Sequence, residues 1–124
     1  MTPLCWLSAG SLAVNNASLI LPIQNSGPDP ATIVSMTLDW PNTPADQKIT
    51  EIRLGGTVID SSNYNNSPSA IPLNGTWTAG QPADRQLPAN SGKDLEFVFQ
   101  DPLAATGFNL TVNFDNGCSV SASR

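Results

Sequence analysis

Two cysteines, Cys5 and Cys118, stand at opposite ends of a chain that contains no histidine. Without histidine there is no Ser-His-Asp or Cys-His nucleophilic site and no imidazole metal ligand, and two cysteines alone cannot build a zinc centre. A cysteine pair spanning nearly the whole sequence reads as a staple between the first and last strands, a habit of proteins outside the reducing cytosol. Two buried free thiols are the alternative reading. As a disulfide, the pair closes a loop that chain-entropy reasoning values at about 4 to 5 kcal/mol.

Other residues point to weaker chemistry. Asp60, Asn63 and Asn65 present oxygens at spacings that suit calcium, without the second acidic residue and closing glutamate of a strong motif. Calcium is therefore the one cofactor to test, and none is expected. Trp77 and Tyr64 are the aromatics that could stack on a sugar ring, with an edge-strand role for Trp77 as the competing reading. Trp40 is expected in the core and Trp6 against the disulfide. Four N-x-S/T sequons begin at Asn16, Asn65, Asn74 and Asn109, of which Asn16 and Asn65 fall in loops and are the better acceptors. Asp39, Asp94, Glu96 and Asp115 fall on outward strand positions or turns, where a solvated face explains them without a glycosidase-like carboxylate pair. Asp84-Arg85 reads as a local ion pair or turn cap. No catalytic residue is assigned.

Composition narrows the partners. The chain has 124 residues, the size of one domain with its own core, and residues 1–124 are read as a single unit. Charged residues make up only 12%, eleven prolines punctuate the sequence, and the net charge is -5. Nucleic acid and anionic membrane surfaces need Lys/Arg clusters, and the five basic residues here are scattered. No apolar run approaches the roughly 18 residues of a membrane span, so no direct insertion is expected. The opening Met1 to Trp6 also lacks the basic and apolar regions of an export signal. If the domain is secreted, its signal or anchor is expected to have been removed.

The elements that would position these residues are strands. Period-2 alternation recurs in short blocks bounded by Gly, Pro, Asn and Asp, with no sustained helical spacing. Leu12 and Val14 lead into Asn15-Asn16, and Ala17 to Ile23 follow, predicting a hairpin with Val14 opposite Ala17 and Leu12 opposite Leu19. Val34, Met36, Leu38 and Trp40 define the inward face of a strand ended by Pro41. Gly55-Gly56 joins Lys48–Leu54 to Thr57–Ile59, placing Ile52 opposite Ile59. Residues 60–69 and 78–84 read as polar loops around a short strand, Ile71 to Trp77, that Pro72 confines to a sheet edge. Leu95, Phe97 and Phe99, and then Phe108, Leu110, Val112 and Phe114, mark two strongly alternating strands. A three-residue turn, Asp115-Asn116-Gly117, pairs Phe114 with Cys118 and Val112 with Val120 if Gly117 is left-handed. Eight to ten such strands read as two packed sheets in an all-β, mostly antiparallel, immunoglobulin-like sandwich, with a closed barrel as the alternative.

Several segments together carry a resemblance: Asn25-Ser26-Gly27 before a Thr/Ile/Val strand, Leu38-Asp39-Trp40-Pro41, Ile52-Arg53-Leu54-Gly55-Gly56, Ala83-Asp84-Arg85 and the closing Phe108 to Cys118. From about Cys5 to Ser121 the chain resembles immunoglobulin-like domains of secreted, surface-anchored and pilin-like bacterial proteins. The resemblance implies the sandwich and an extracellular or cell-surface setting. A typical type IV pilin also carries a long apolar N-terminal helix that these residues do not contain. The expectation is therefore a trimmed headgroup, a surface module or a filament of another kind. The leading functional expectation is a non-enzymatic structural or adhesive module that self-associates or joins other surface-assembly subunits. A carbohydrate-binding module for a polysaccharide is the alternative.

Overall fold

The computed structural model describes residues 5–41, 44–72 and 75–124. Its strands, numbered along the chain, are β1 (Leu7–Ala9), β2 (Ala13–Asn15), β3 (Ser18–Asn25), β4 (Ala31–Asp39), β5 (Ile49–Leu54), β6 (Thr57–Asp60), β7 (Ser69–Ile71), β8 (Gln86–Leu87), β9 (Ser91–Phe99), β10 (Asn109–Phe114) and β11 (Ser119–Ser123). A 3-10 turn, Pro82–Arg85, precedes β8. The first sheet runs β1-β3-β9-β5-β6, with β2 pairing the other half of β3; the second runs β11-β10-β4-β7, with β8 pairing the start of β4. Every pairing among these strands is antiparallel. The result is an immunoglobulin-like two-sheet sandwich.

The core is what the alternation requires. Leu19, Leu21 and Ile23 from β3, Leu95, Phe97 and Phe99 from β9, and Leu110, Val112 and Phe114 from β10 are buried between the sheets. Trp40 meets Phe99 edge-on at 5.5 Å between ring centroids, and its indole nitrogen donates to Ser69 Oγ at 3.1 Å, so its polar atom is satisfied inside. Cys5, just before β1, is bonded to Cys118, just before β11, at a Cα separation of 5.8 Å. Because β1 lies in one sheet and β11 in the other, the disulfide ties the two layers together.

The β10–β11 turn has the expected three-residue form. Val112 pairs Val120, Phe114 N–H donates to the Cys118 carbonyl at 2.9 Å, and Gly117 has φ 82°. Other registers differ. The β2–β3 turn is Asn16-Ala17, not Asn15-Asn16, so Val14 pairs Leu19 and Asn15 pairs Ser18. Asn16 takes the left-handed conformation, φ 57°, which its short polar side chain tolerates. In β4 a bulge opposite Asn113/Phe114 reverses the alternation. Ala31 and Ile33 therefore face the core, and Val34, expected inside, is 45% exposed. A second bulge sets Ile52 opposite Asp60 instead of Ile59. The strand expected over Ile71 to Trp77 is instead β7, which lies at the edge of the second sheet and ends before Pro72.

Candidate functional site

The bulge in the β5–β6 hairpin has a chemical consequence. It turns Asp60, expected in a solvent loop, fully into the interior. Its carboxylate accepts from the Tyr64 hydroxyl at 2.7 Å, the Ser62 N–H at 2.8 Å and the Thr78 hydroxyl at 2.9 Å. Tyr64 N–H and C=O also bridge to Ile49. The carboxylate is thus the pin of a loop, while Asn63 and Asn65 are exposed; the three do not form the calcium arrangement their spacing suggested. Among the described residues no group of three His, Cys, Asp or Glu side chains gathers as a metal site.

The aromatics are redistributed as well. Tyr64 is only 5% exposed, its hydroxyl turned in to Asp60, and it contributes to the wall of a shallow pocket of about 280 Å³ beside Asn63, Asn65 and Pro72. Trp77 is half-buried against the core, with the Arg85 guanidinium 4.9 Å above its ring. Asp84, instead of pairing with Arg85, accepts from the Gln81 N–H at 2.7 Å and caps the 3-10 turn. The exposed tryptophan is Trp6, at 49%. Its ring lies on Gly27 so closely that a Cβ there would sit 2.7 Å from the ring carbons. Three further buried polar side chains work as pins. Asn25 donates to the Asp29 and Leu87 carbonyls and accepts from Gly27 N–H, Gln47 clamps Asp101, and Ser69 receives Trp40. None of the three was expected from sequence to be buried, although the run of turn formers after Asn25 marks a loop that needs a pin.

The two outer sheet faces differ in character. On the first sheet Pro22, Gln24, Asp94, Glu96, Glu51 and Arg53 look outward; Ser18 donates to Glu96 at 2.7 Å, and Arg53 pairs with Glu51. A shallow groove of about 540 Å³ crosses that face between Gly10, Pro22, Gln24 and Gly92. On the second sheet the outward residues form three rows across β4, β10 and β11: Asp39, Asn109 and Ser123; Thr37, Thr111 and Ser121; Ser35, Asn113 and Ser119. Asp39 is the only charge in these rows. Of the sequons, Asn16 and Asn65 are exposed in loops, Asn109 is exposed in β10, and Asn74 lies outside the described residues.

The edges also differ. Along β6, Ser61 N–H donates to Thr78 at 2.8 Å, and Gly80 lies against the Val58 carbonyl, so the 76–81 segment covers that strand. The β7 edge strand is bracketed by Pro68 and Pro72. Such prolines and covering loops block edge-to-edge pairing.

No family model matches the sequence, and no curated protein matches it. Among solved structures the chain is similar to the archaellum periplasmic stator protein complex FlaF and FlaG from Sulfolobus acidocaldarius. That likeness has a TM-score of 0.51 and 12% identity, and covers 98% of this chain and 90% of that one. It is similar to the archaellum periplasmic stator protein FlaG from the same organism at TM-score 0.50 and 12% identity, over 95% and 97% of the two chains. An uncharacterized protein from Nocardia farcinica, described as having an immunoglobulin-like fold, aligns at TM-score 0.39 and 15% identity over 92% and 82%. What the two archaellum structures share with this chain is the fold, two antiparallel sheets packed face to face.

Proposed function

We propose that this chain is a non-enzymatic structural or adhesive module of an extracellular surface assembly, one domain that serves as a repeating subunit of a filament or pilin-like structure. The observation that carries the reading is the use made of the buried polar side chains. Asn25, Gln47, Asp60 and Ser69 are all engaged in holding loops to strands. What the molecule offers outward is therefore chiefly its two sheet faces, since the β6 and β7 edges are covered or bracketed by proline. The inter-sheet disulfide supports an oxidising compartment. The fold shared with components of an archaellum stator, itself part of a surface filament apparatus, is in keeping with this role.

The test is the assembly state. Material recovered from the surface of producing cells is imaged, and the purified domain is sized alongside it. Ordered filaments containing this chain are expected. A strictly monomeric particle, with no polymer on cells, overturns the reading.

A further inference from the structure

We infer that the outer face of the second sheet is a self-docking surface, occupied by the same face of a second copy of this chain. The inference rests on the assembly reading above and names one of its contacts: the same face on two copies closes a two-fold pair, and pairs joined through a second surface build a filament. Copies carrying a net charge of -5 repel one another wherever carboxylates meet. The outer face of the first sheet presents Asp94, Glu96 and Glu51 against a lone Arg53, so two such faces oppose each other. The second sheet carries Asp39 and Asp115 only at its two ends. Asp115 accepts from the Thr32 N–H at 3.1 Å and Asp39 from the Ser67 hydroxyl at 3.0 Å. Between them lie Thr37, Thr111, Ser121, Ser35, Asn113 and Ser119, in register across three strands and all neutral.

Hydroxyls and amides both donate and accept, so a face built of them is complementary to itself. Ser and Thr also have few rotamers to lose, whereas the Lys and Glu of an ordinary solvated face lose roughly 1.5 to 2 kcal/mol each when fixed. Part of the face is already ordered: Thr111 and Ser121 hydroxyls lie 3.3 Å apart, and Asn113 donates to Ser35 at 3.1 Å. The β4 bulge adds an apolar anchor, since it places Val34, 45% exposed, beside the Ser35-Asn113-Ser119 row. Asn109 stands on the same face, so a glycan on Asn109 and self-docking exclude one another.

The experiment is sedimentation of the wild-type domain across a concentration series, at low and high salt, beside Thr111→Glu, Val34→Glu and Gln24→Glu. The third variant adds the same charge on the opposite outer face and controls for net charge. Wild type is expected to associate more strongly at high salt, because screening removes repulsion and the contact itself contains no ion pair. Thr111→Glu and Val34→Glu are expected to raise the concentration needed for association about tenfold or more. Gln24→Glu is expected to change it less than about twofold, with thermal stability retained in all three. Wild type that stays monomeric at every concentration and salt overturns the inference. Association retained in Thr111→Glu and Val34→Glu also overturns it, and if Gln24→Glu then abolishes association, the assembly reading survives with its contact on the first sheet.

Discussion

At the scale of single residues, the polar side chains that looked most available for chemistry hold the structure together. Asp60 is fully buried and accepts three hydrogen bonds, so Asp60→Ala removes the acceptor that Tyr64, Ser62 and Thr78 share. A loss of about 3 kcal/mol is expected in chemical denaturation, with a smaller loss for Asp60→Asn, which keeps one oxygen. An Asp60→Ala domain as stable as wild type would show that the pin carries nothing. Trp6 rests on a position that only glycine fits. Gly27→Ala is expected to push the ring outward, cost about 1 to 2 kcal/mol and raise acrylamide quenching of tryptophan fluorescence. The quenching change should vanish when the same substitution is made in a Trp6→Phe background. Neither role was legible in the sequence for a common reason. The seat of Trp6 is set by Gly27, that of Trp77 by the core and Arg85, and the burial of Asp60 by a bulge that brings it to Tyr64, Ser62 and Thr78, none of which the pattern of its own segment marks. Alternation reports only which face of its own strand a side chain takes.

At the scale of elements, legibility depends on whether turn length and face pattern constrain each other. They do so at β10–β11. A two-residue turn there puts Cys118 and Val120 on the wrong side, so only the three-residue form with a left-handed Gly117 is consistent, and that form is observed. At β2–β3 they do not. Turns at Asn15-Asn16 and at Asn16-Ala17 differ by two in pairing register, so both leave Leu19, Leu21 and Ile23 facing inward, and the pattern cannot choose. Bulges are the harder failure, because an extra residue in one strand reverses the alternation without any mark in its composition. Val34 and Asp60 both owe their placement to one. Gly117 allows a direct check of the turn. A Cβ there meets nothing within 4 Å, so the cost of substitution is conformational alone. Gly117→Ala should lose about 1 to 2 kcal/mol and Gly117→Asn less, since asparagine enters the left-handed region more readily. Equal losses for the two would mean that the turn adopts another form.

At the scale of the whole molecule, the disulfide governs how the two ends of the chain stay seated. β1 pairs β3 through only three residue pairs, Leu7 with Asn25 through Ala9 with Ile23, and β11 is bonded on one side to β10. Neither element brings much burial of its own, and Cys5–Cys118 joins them across the two layers at a sequence separation of 113. Removing the link frees the unfolded chain, which is worth up to about 4 to 5 kcal/mol. A Cys5→Ser, Cys118→Ala double variant should therefore unfold at markedly lower urea. Its dependence on urea should be steeper, because the uncrosslinked unfolded chain exposes more surface. Local opening should precede global unfolding, with hydrogen-exchange protection lost first in β1 and β11 while β3 and β9 remain protected. Release of β1 has a further effect, since it uncovers the Ile23 to Asn25 edge of β3, which a neighbouring molecule's β1 can occupy in its place. Reduction is thus expected to produce strand-exchanged oligomers that are insensitive to Thr111→Glu, whereas association of the oxidised domain is sensitive to it. Reduced protein that stays monomeric and keeps protection in β1 would mean that strand pairing alone secures the N-terminal edge.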